Sequence, residues 1–102
     1  MKRILVRYTV KPDRVAENEE LVRAVYTALH ELEPADFRYA TFQLEDGVTF
    51  VHLASIDGED GHNPLPGLPA FQAFQKDIAD RLDEGPFAGE VREIGSFNFS
   101  NG

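Results

Sequence analysis

The order in which two hydrophobic periods follow one another constrains this chain more than any single residue does. Over residues 3–10, Ile4, Val6, Tyr8 and Val10 alternate with Arg3, Leu5, Arg7 and Thr9, the period of two that a strand imposes. Lys11-Pro12-Asp13 stops the run, because proline cannot donate to a ladder, and Asp13 is placed to cap a following helix. Over residues 13–33 the spacing becomes helical. Val15, Val22, Val25, Leu29 and Leu32 form one stripe with Leu21, Ala24 and Ala28 beside it, while Glu17, Glu19, Glu20, Arg23 and Glu31 lie mostly away. Pro34 ends this helix by pushing its predecessor out of the α region.

Period two returns over residues 36–44 and 48–56, on either side of Glu45-Asp46-Gly47, and an Asp-Gly tip between alternating runs signals a hairpin. Residues 57–69 are irregular and punctuated by Gly and Pro. A second helix is predicted over residues 69–82, burying Phe71, Phe74, Ile78 and Leu82, with Glu84-Gly85-Pro86 after it and a last strand over residues 89–99. The sum is β-α-β-β-α-β in one domain of 102 residues: an α+β, ferredoxin-like antiparallel sheet with two helices on one face. Both sheet faces carry apolar side chains, Val6, Tyr8, Phe50 and Ile56 on one and Leu5, Val51, Leu53 and Ile94 on the other. The face without helices therefore calls for a cover, and a second copy of the chain, giving a homodimer through the sheet, is the simplest one.

Composition narrows the function classes. Without cysteine there is no disulfide framework and no thiolate metal site. A formal net charge of −8 repels phosphate backbones, so neither nucleic acid nor an anionic membrane is an expected partner. The apolar run Ile4-Leu5-Val6 is broken by Arg7 and has no small-residue cleavage site after it, and no segment is long enough to span a bilayer, so a cytoplasmic protein is expected.

Tyr8-Thr9-Val10-Lys11-Pro12 closing the first strand, the acidic helix after it, the central hairpin, the Leu68-Pro69-Ala70-Phe71-Gln72-Ala73-Phe74 helix and the closing strand together resemble the antibiotic biosynthesis monooxygenase-like family. The resemblance covers nearly the whole chain and lies in its pattern. It implies the dimeric α+β barrel fold and an activity drawn from cofactor-independent oxygenation of aromatic or quinone-like molecules, heme degradation, or an uncharacterised role. Oxygenases of that family often use a pocket tryptophan and its heme degraders use Asn, Trp and His. This chain has no Trp and no His in its second helix, which points away from heme.

Candidate chemistry rests on few residues. His52 is in phase with Val48, Phe50, Ala54 and Ile56, where an apolar setting favours a neutral ring able to accept a substrate proton, unless it is a core histidine with one fixed partner. His62-Asn63 falls in the irregular stretch; the pair offers a proton carrier and an amide to hold an oxyanion, or else Asn63 is a local cap before Pro64. His30, near the end of the first helix, reads as a solvated residue favourable to the dipole. Tyr8, Phe50, Phe71 and Phe74 are expected to wall a pocket for a small apolar or aromatic molecule between sheet and helices, and Tyr39 is a further strand residue with a polar tip. Asp57, Glu59, Asp60 and His62 match no metal-ligand spacing, and no Gly-rich turn carries the marks of a dinucleotide or phosphate site, so no flavin, heme or metal cofactor is expected. Two functions fit: a cofactor-independent monooxygenase acting on a small aromatic or quinone-like compound, and a non-catalytic ligand-binding or stress-associated dimer using the same cavity.

Overall fold

A computed structural model describes residues 1–59 and 61–99; Asp60, one of the acidic residues weighed as a metal ligand, lies outside them. Strand β1 (Lys2–Val10) leads through a 3-10 turn, Pro12–Arg14, into helix α1 (Val15–Leu32). Strands β2 (Phe37–Gln43) and β3 (Thr49–Ile56) form the hairpin. After the irregular stretch and a 3-10 turn at Leu65–Gly67 come helices α2 (Pro69–Gln75) and α3 (Ile78–Arg81) and strand β4 (Leu82–Val91). The sheet order is β2-β3-β1-β4, antiparallel throughout, as the ferredoxin-like reading requires.

The hairpin forms as its turn chemistry dictates. Gly47 takes a left-handed φ of +79°, and the Asp46 carboxylate accepts the Val48 and Thr49 amides at 2.9 Å each and the Thr49 hydroxyl at 2.6 Å. That tip fixes a register in which Thr41 faces His52 and Tyr39 faces Ala54. On the helix-facing side Tyr8, Val10, Phe50, His52, Ala54 and Ile56 are buried beneath Val22 and Val25 of α1 and Phe74 of α2.

Four local expectations need correction. Asp13 does not cap α1, which has no side-chain cap; Arg14 instead donates to the Glu17 carboxylate at 2.6 and 2.9 Å, holding an acid beside the helix start. The helix predicted over 69–82 is broken at Lys76–Asp77, where Asp77 has φ +55°. In an unbroken helix the Phe74 carbonyl would accept from the Ile78 amide; here the Arg81 guanidinium donates to it at 2.8 Å, so the break leaves no orphaned acceptor there. The last strand starts at Leu82, not at 89, and runs through Gly85-Pro86, joined by a cis peptide; an edge strand tolerates a proline that a central one would not. Ile94 thus lies beyond the sheet, 84% exposed, and not on the bare face. The apolar side chains on that face are Leu5, Val51, Leu53, Ala40 and Phe42, joined from β4 by Phe87 and Val91, and Arg3, Arg7, Arg38 and Ser55 share it.

Candidate functional site

Strand phase and the two short helices enclose a cavity of about 230 Å³ on the helix side of the sheet. Ile4, Val6 and Tyr8 from β1, Tyr39 from β2, His52 and Ala54 from β3, and Pro86 and Ala88 from β4 make its floor. Asn63, Leu65, Phe71, Phe74, Gln75 and Ile78 make its roof and rim. The setting is apolar and aromatic, with few polar groups, as small-molecule sites usually are. Ile78, on the far side of the break at Lys76–Asp77, lines the cavity together with Phe74.

His52 is the centre of the polar floor. Its ring is buried and packs against Tyr8 with centroids 5.3 Å apart and against Phe74 at 5.5 Å. Nε2 lies 2.7 Å from the Tyr8 hydroxyl, and Nδ1 lies 2.7 Å from the Tyr39 hydroxyl and 3.0 Å from Thr41 Oγ1. Burial pulls the His52 pKa down to about 4, so at neutral pH the imidazole is uncharged. Burial likewise pushes Tyr8 up to about 12, against the opposing pull of the Asn18 hydrogen bond and the Arg81 charge, and pushes Tyr39 well above the usual phenol range. Both phenols are therefore neutral hydroxyls at physiological pH.

The network continues away from the cavity. Asn18 Nδ2 donates to the Tyr8 oxygen at 3.0 Å, and Arg81 Nε donates to Asn18 Oδ1 at 3.2 Å. Arg81, 2% exposed, also lies over the Phe74 ring at 5.3 Å and forms no ion pair among the described residues. On the other side of the imidazole, the Tyr26 and Thr41 hydroxyls are 2.7 Å apart.

The structure thus brings together Tyr8, His52, Asn63, Phe71 and Phe74 on one cavity and leaves two expected residues out of it. Phe50 shares the strand face of His52 and stacks on Tyr8 at 5.7 Å, but it sits toward the hairpin tip and is buried in the core under α1. His62 is exposed and borders a separate depression with Leu32, Pro34, Asp36 and Gly58. Asn63 reaches the cavity while its Oδ1 accepts the Leu65 amide at 3.0 Å, so the local-cap reading applies to its oxygen. Sequence reasoning missed Asn18, Thr41 and Arg81 and gave Tyr39 no role. Among the described residues no group of three or more His, Asp, Glu or Cys side chains could hold a metal ion, and no helix is long and apolar enough to cross a membrane.

No family model matches this sequence, and no curated protein does. Solved structures do match its fold. An antibiotic biosynthesis monooxygenase superposes with a TM-score of 0.75 at 14% identity, covering 93% of this chain and 100% of that one. Rv0793 of Mycobacterium tuberculosis gives 0.74 at 14% identity, with 93% and 96% covered. SnoaB, a cofactor-independent oxygenase from Streptomyces nogalater, gives 0.69 at 15% identity, with 95% and 96% covered. At such identities the likeness is one of fold, and it spans nearly the whole of each chain.

Proposed function

We propose that this chain is a cofactor-independent oxygenase of the antibiotic biosynthesis monooxygenase type, acting on a small aromatic or quinone-like molecule in the cavity beside His52. The observation that carries the reading is a neutral imidazole held between two phenol hydroxyls on the floor of an otherwise apolar pocket. An acidic hydroquinone that leaves its proton to water on entering is held there as its enolate by the hydroxyl donors of the floor, and the proton returns in the water the reaction releases. The enolate carbon then gives electrons to dioxygen directly: one hydroquinone and one dioxygen yield one hydroxyquinone and one water. The fold shared with SnoaB, itself a cofactor-independent oxygenase, supports this choice. Asn63, through its amide nitrogen, is the rim group nearest in role to an oxygen holder, and Phe71 and Phe74 are the apolar wall.

A second reading, a non-catalytic binder, has its own observation: both ring nitrogens of His52 are already engaged by hydroxyls of the chain. Oxygen uptake with a panel of hydroquinones separates the two. The oxygenase reading expects protein-dependent uptake, one dioxygen per hydroxyquinone, at least tenfold lower in His52→Phe that remains folded. Binding of the same compounds with uptake no faster than in buffer would overturn it in favour of the binder.

The partner is a second copy of the chain in this proposal. The sheet face opposite the helices leaves Phe42 50% and Phe87 58% exposed, with Leu5, Val51 and Leu53 between them and Arg7 beside Phe87, an apolar centre with basic neighbours that a second copy would cover.

A further inference from the structure

We propose that Tyr39 is the residue that selects the ligand, donating its hydroxyl hydrogen to an acceptor oxygen of the molecule in the cavity, and that Arg81 sets the direction of this donor through Asn18, Tyr8 and His52. The inference rests on the cavity being the ligand site and adds to it the chemical class recognised: an aromatic ketone, quinone or phenolate that presents an oxygen lone pair to the floor.

The direction follows from what each group is able to do. A guanidinium has donors only, so Asn18 must turn its carbonyl oxygen to Arg81 Nε, 3.2 Å away. Its amide nitrogen then faces the Tyr8 oxygen at 3.0 Å and donates to it. The Tyr8 hydroxyl hydrogen has one remaining partner, His52 Nε2 at 2.7 Å, which it makes an acceptor. A neutral imidazole that accepts at Nε2 carries its proton on Nδ1. That N–H points at the Tyr39 oxygen, 2.7 Å away, and secondarily at Thr41 Oγ1, 3.0 Å away. Tyr39 cannot donate back to a protonated nitrogen. Its hydroxyl has no further partner among the described residues, and the side chain lines the cavity. Among the described residues, the polar hydrogen of the floor without a partner is therefore the Tyr39 hydroxyl hydrogen, left for the ligand. Because the relay starts at a buried cation and each link polarises the next, it also favours partial negative charge on the ligand oxygen.

The test uses 1-tetralone and tetralin, two bicyclic compounds that differ by one carbonyl, together with ¹⁵N spectra of His52. Wild-type protein should bind 1-tetralone at least tenfold more tightly than tetralin, and the infrared carbonyl stretch of bound ¹³C-labelled tetralone should fall below its value in hexane. Tyr39→Phe should bind the two compounds alike, hold tetralin as well as wild type does, and return the stretch to its hexane value. Asn18→Asp keeps the size and gains a charge pair with Arg81, but presents an acceptor to Tyr8. The Tyr8 hydrogen then turns to Asp, the His52 proton moves to Nε2, Tyr39 donates back to Nδ1, and the preference for tetralone should vanish with the fold intact by circular dichroism.

Equal binding of the two compounds by wild type would overturn the inference and leave the cavity reading standing. Failure of both compounds to bind would overturn the inference and the cavity reading together. A wild-type His52 carrying its proton on Nε2 in the unliganded protein would overturn the relay by itself, whatever binds.

Discussion

His52 shows how a position can be readable while its job is not. Its phase in β3 marked it as an inward histidine in an apolar setting, and the pKa of about 4 that burial produces agrees with a neutral ring. What the residue does depends on partners that sequence spacing scarcely marks. Asn18 offered one signal, an amide lying within the apolar stripe at the step between Val15 and Val22, where a buried polar residue must find a partner. Arg81 offered none, since an arginine at the end of a predicted helix reads as solvated. A pH dependence follows from the depressed histidine. The unfolded ring takes up its proton near the ordinary 6.5, while the folded ring resists down to about 4, so its stabilising contribution is complete above pH 6.5 and is lost as pH falls toward 4. Tyr8, Tyr39 and Thr41 are the groups facing the ring, and none of them titrates in that window. Urea unfolding at pH 7 and pH 4.5 should therefore cost wild type about 1–3 kcal/mol more than it costs His52→Asn, as linkage requires for a shift of this size. Equal losses in the two proteins would remove the neutral-imidazole premise.

Most elements were legible where a period ran unbroken; the second helix, whose period continues through the break at Lys76–Asp77, and β4 are the main departures. The hairpin tip at Asp46-Gly47, both of its strands and the long helix could be read because propensity, pattern and turn residues agree there. Residues 82–88, Leu-Asp-Glu-Gly-Pro-Phe-Ala, show no alternation and contain Gly85-Pro86, so they carry no strand pattern, yet β1 pairs with them along its free edge. Gly85 is what allows this. It has φ +88°, and a Cβ there would come within 2.9 Å of the Arg7 carbonyl oxygen and 3.2 Å of the Tyr8 Cα. Those contacts are backbone and have little room to yield. Gly85→Ala should destabilise the protein by about 1–3 kcal/mol through positive-φ strain and this clash, read as a lower urea midpoint with an unchanged slope. Because the clash falls on Tyr8, the same variant should also broaden or shift the His52 ring resonances. A wild-type midpoint would mean that the strand relaxes without difficulty and that the close approach is incidental.

For the molecule as a whole, the two faces of one sheet divide the labour. One face builds the core and the cavity with α1, α2 and α3, and the other holds Leu5, Val51, Leu53, Phe42 and Phe87 with no helix over them. Pairing of two copies through that second face should appear in sedimentation equilibrium as a dimer at micromolar concentration. Leu53→Asp, placing a charge at its middle, should shift the mass to that of a monomer without removing the helical circular dichroism. A monomeric wild type would dismiss the pairing while leaving the cavity as described. The face was legible in outline because Leu5, Val51 and Leu53 stand in the second phase of β1 and β3; the place of Phe87 on it was not, because β4 itself was not. Arg81 ties the remaining halves of the structure together. Its guanidinium caps the broken helix at Phe74 and opens the chain of hydrogen bonds that ends at Tyr39. In the proposed relay, a change at position 39 alters ligand choice alone, whereas a change at 81 also uncaps the helix at Phe74, so heat tolerance and ligand choice would both act to hold the arginine.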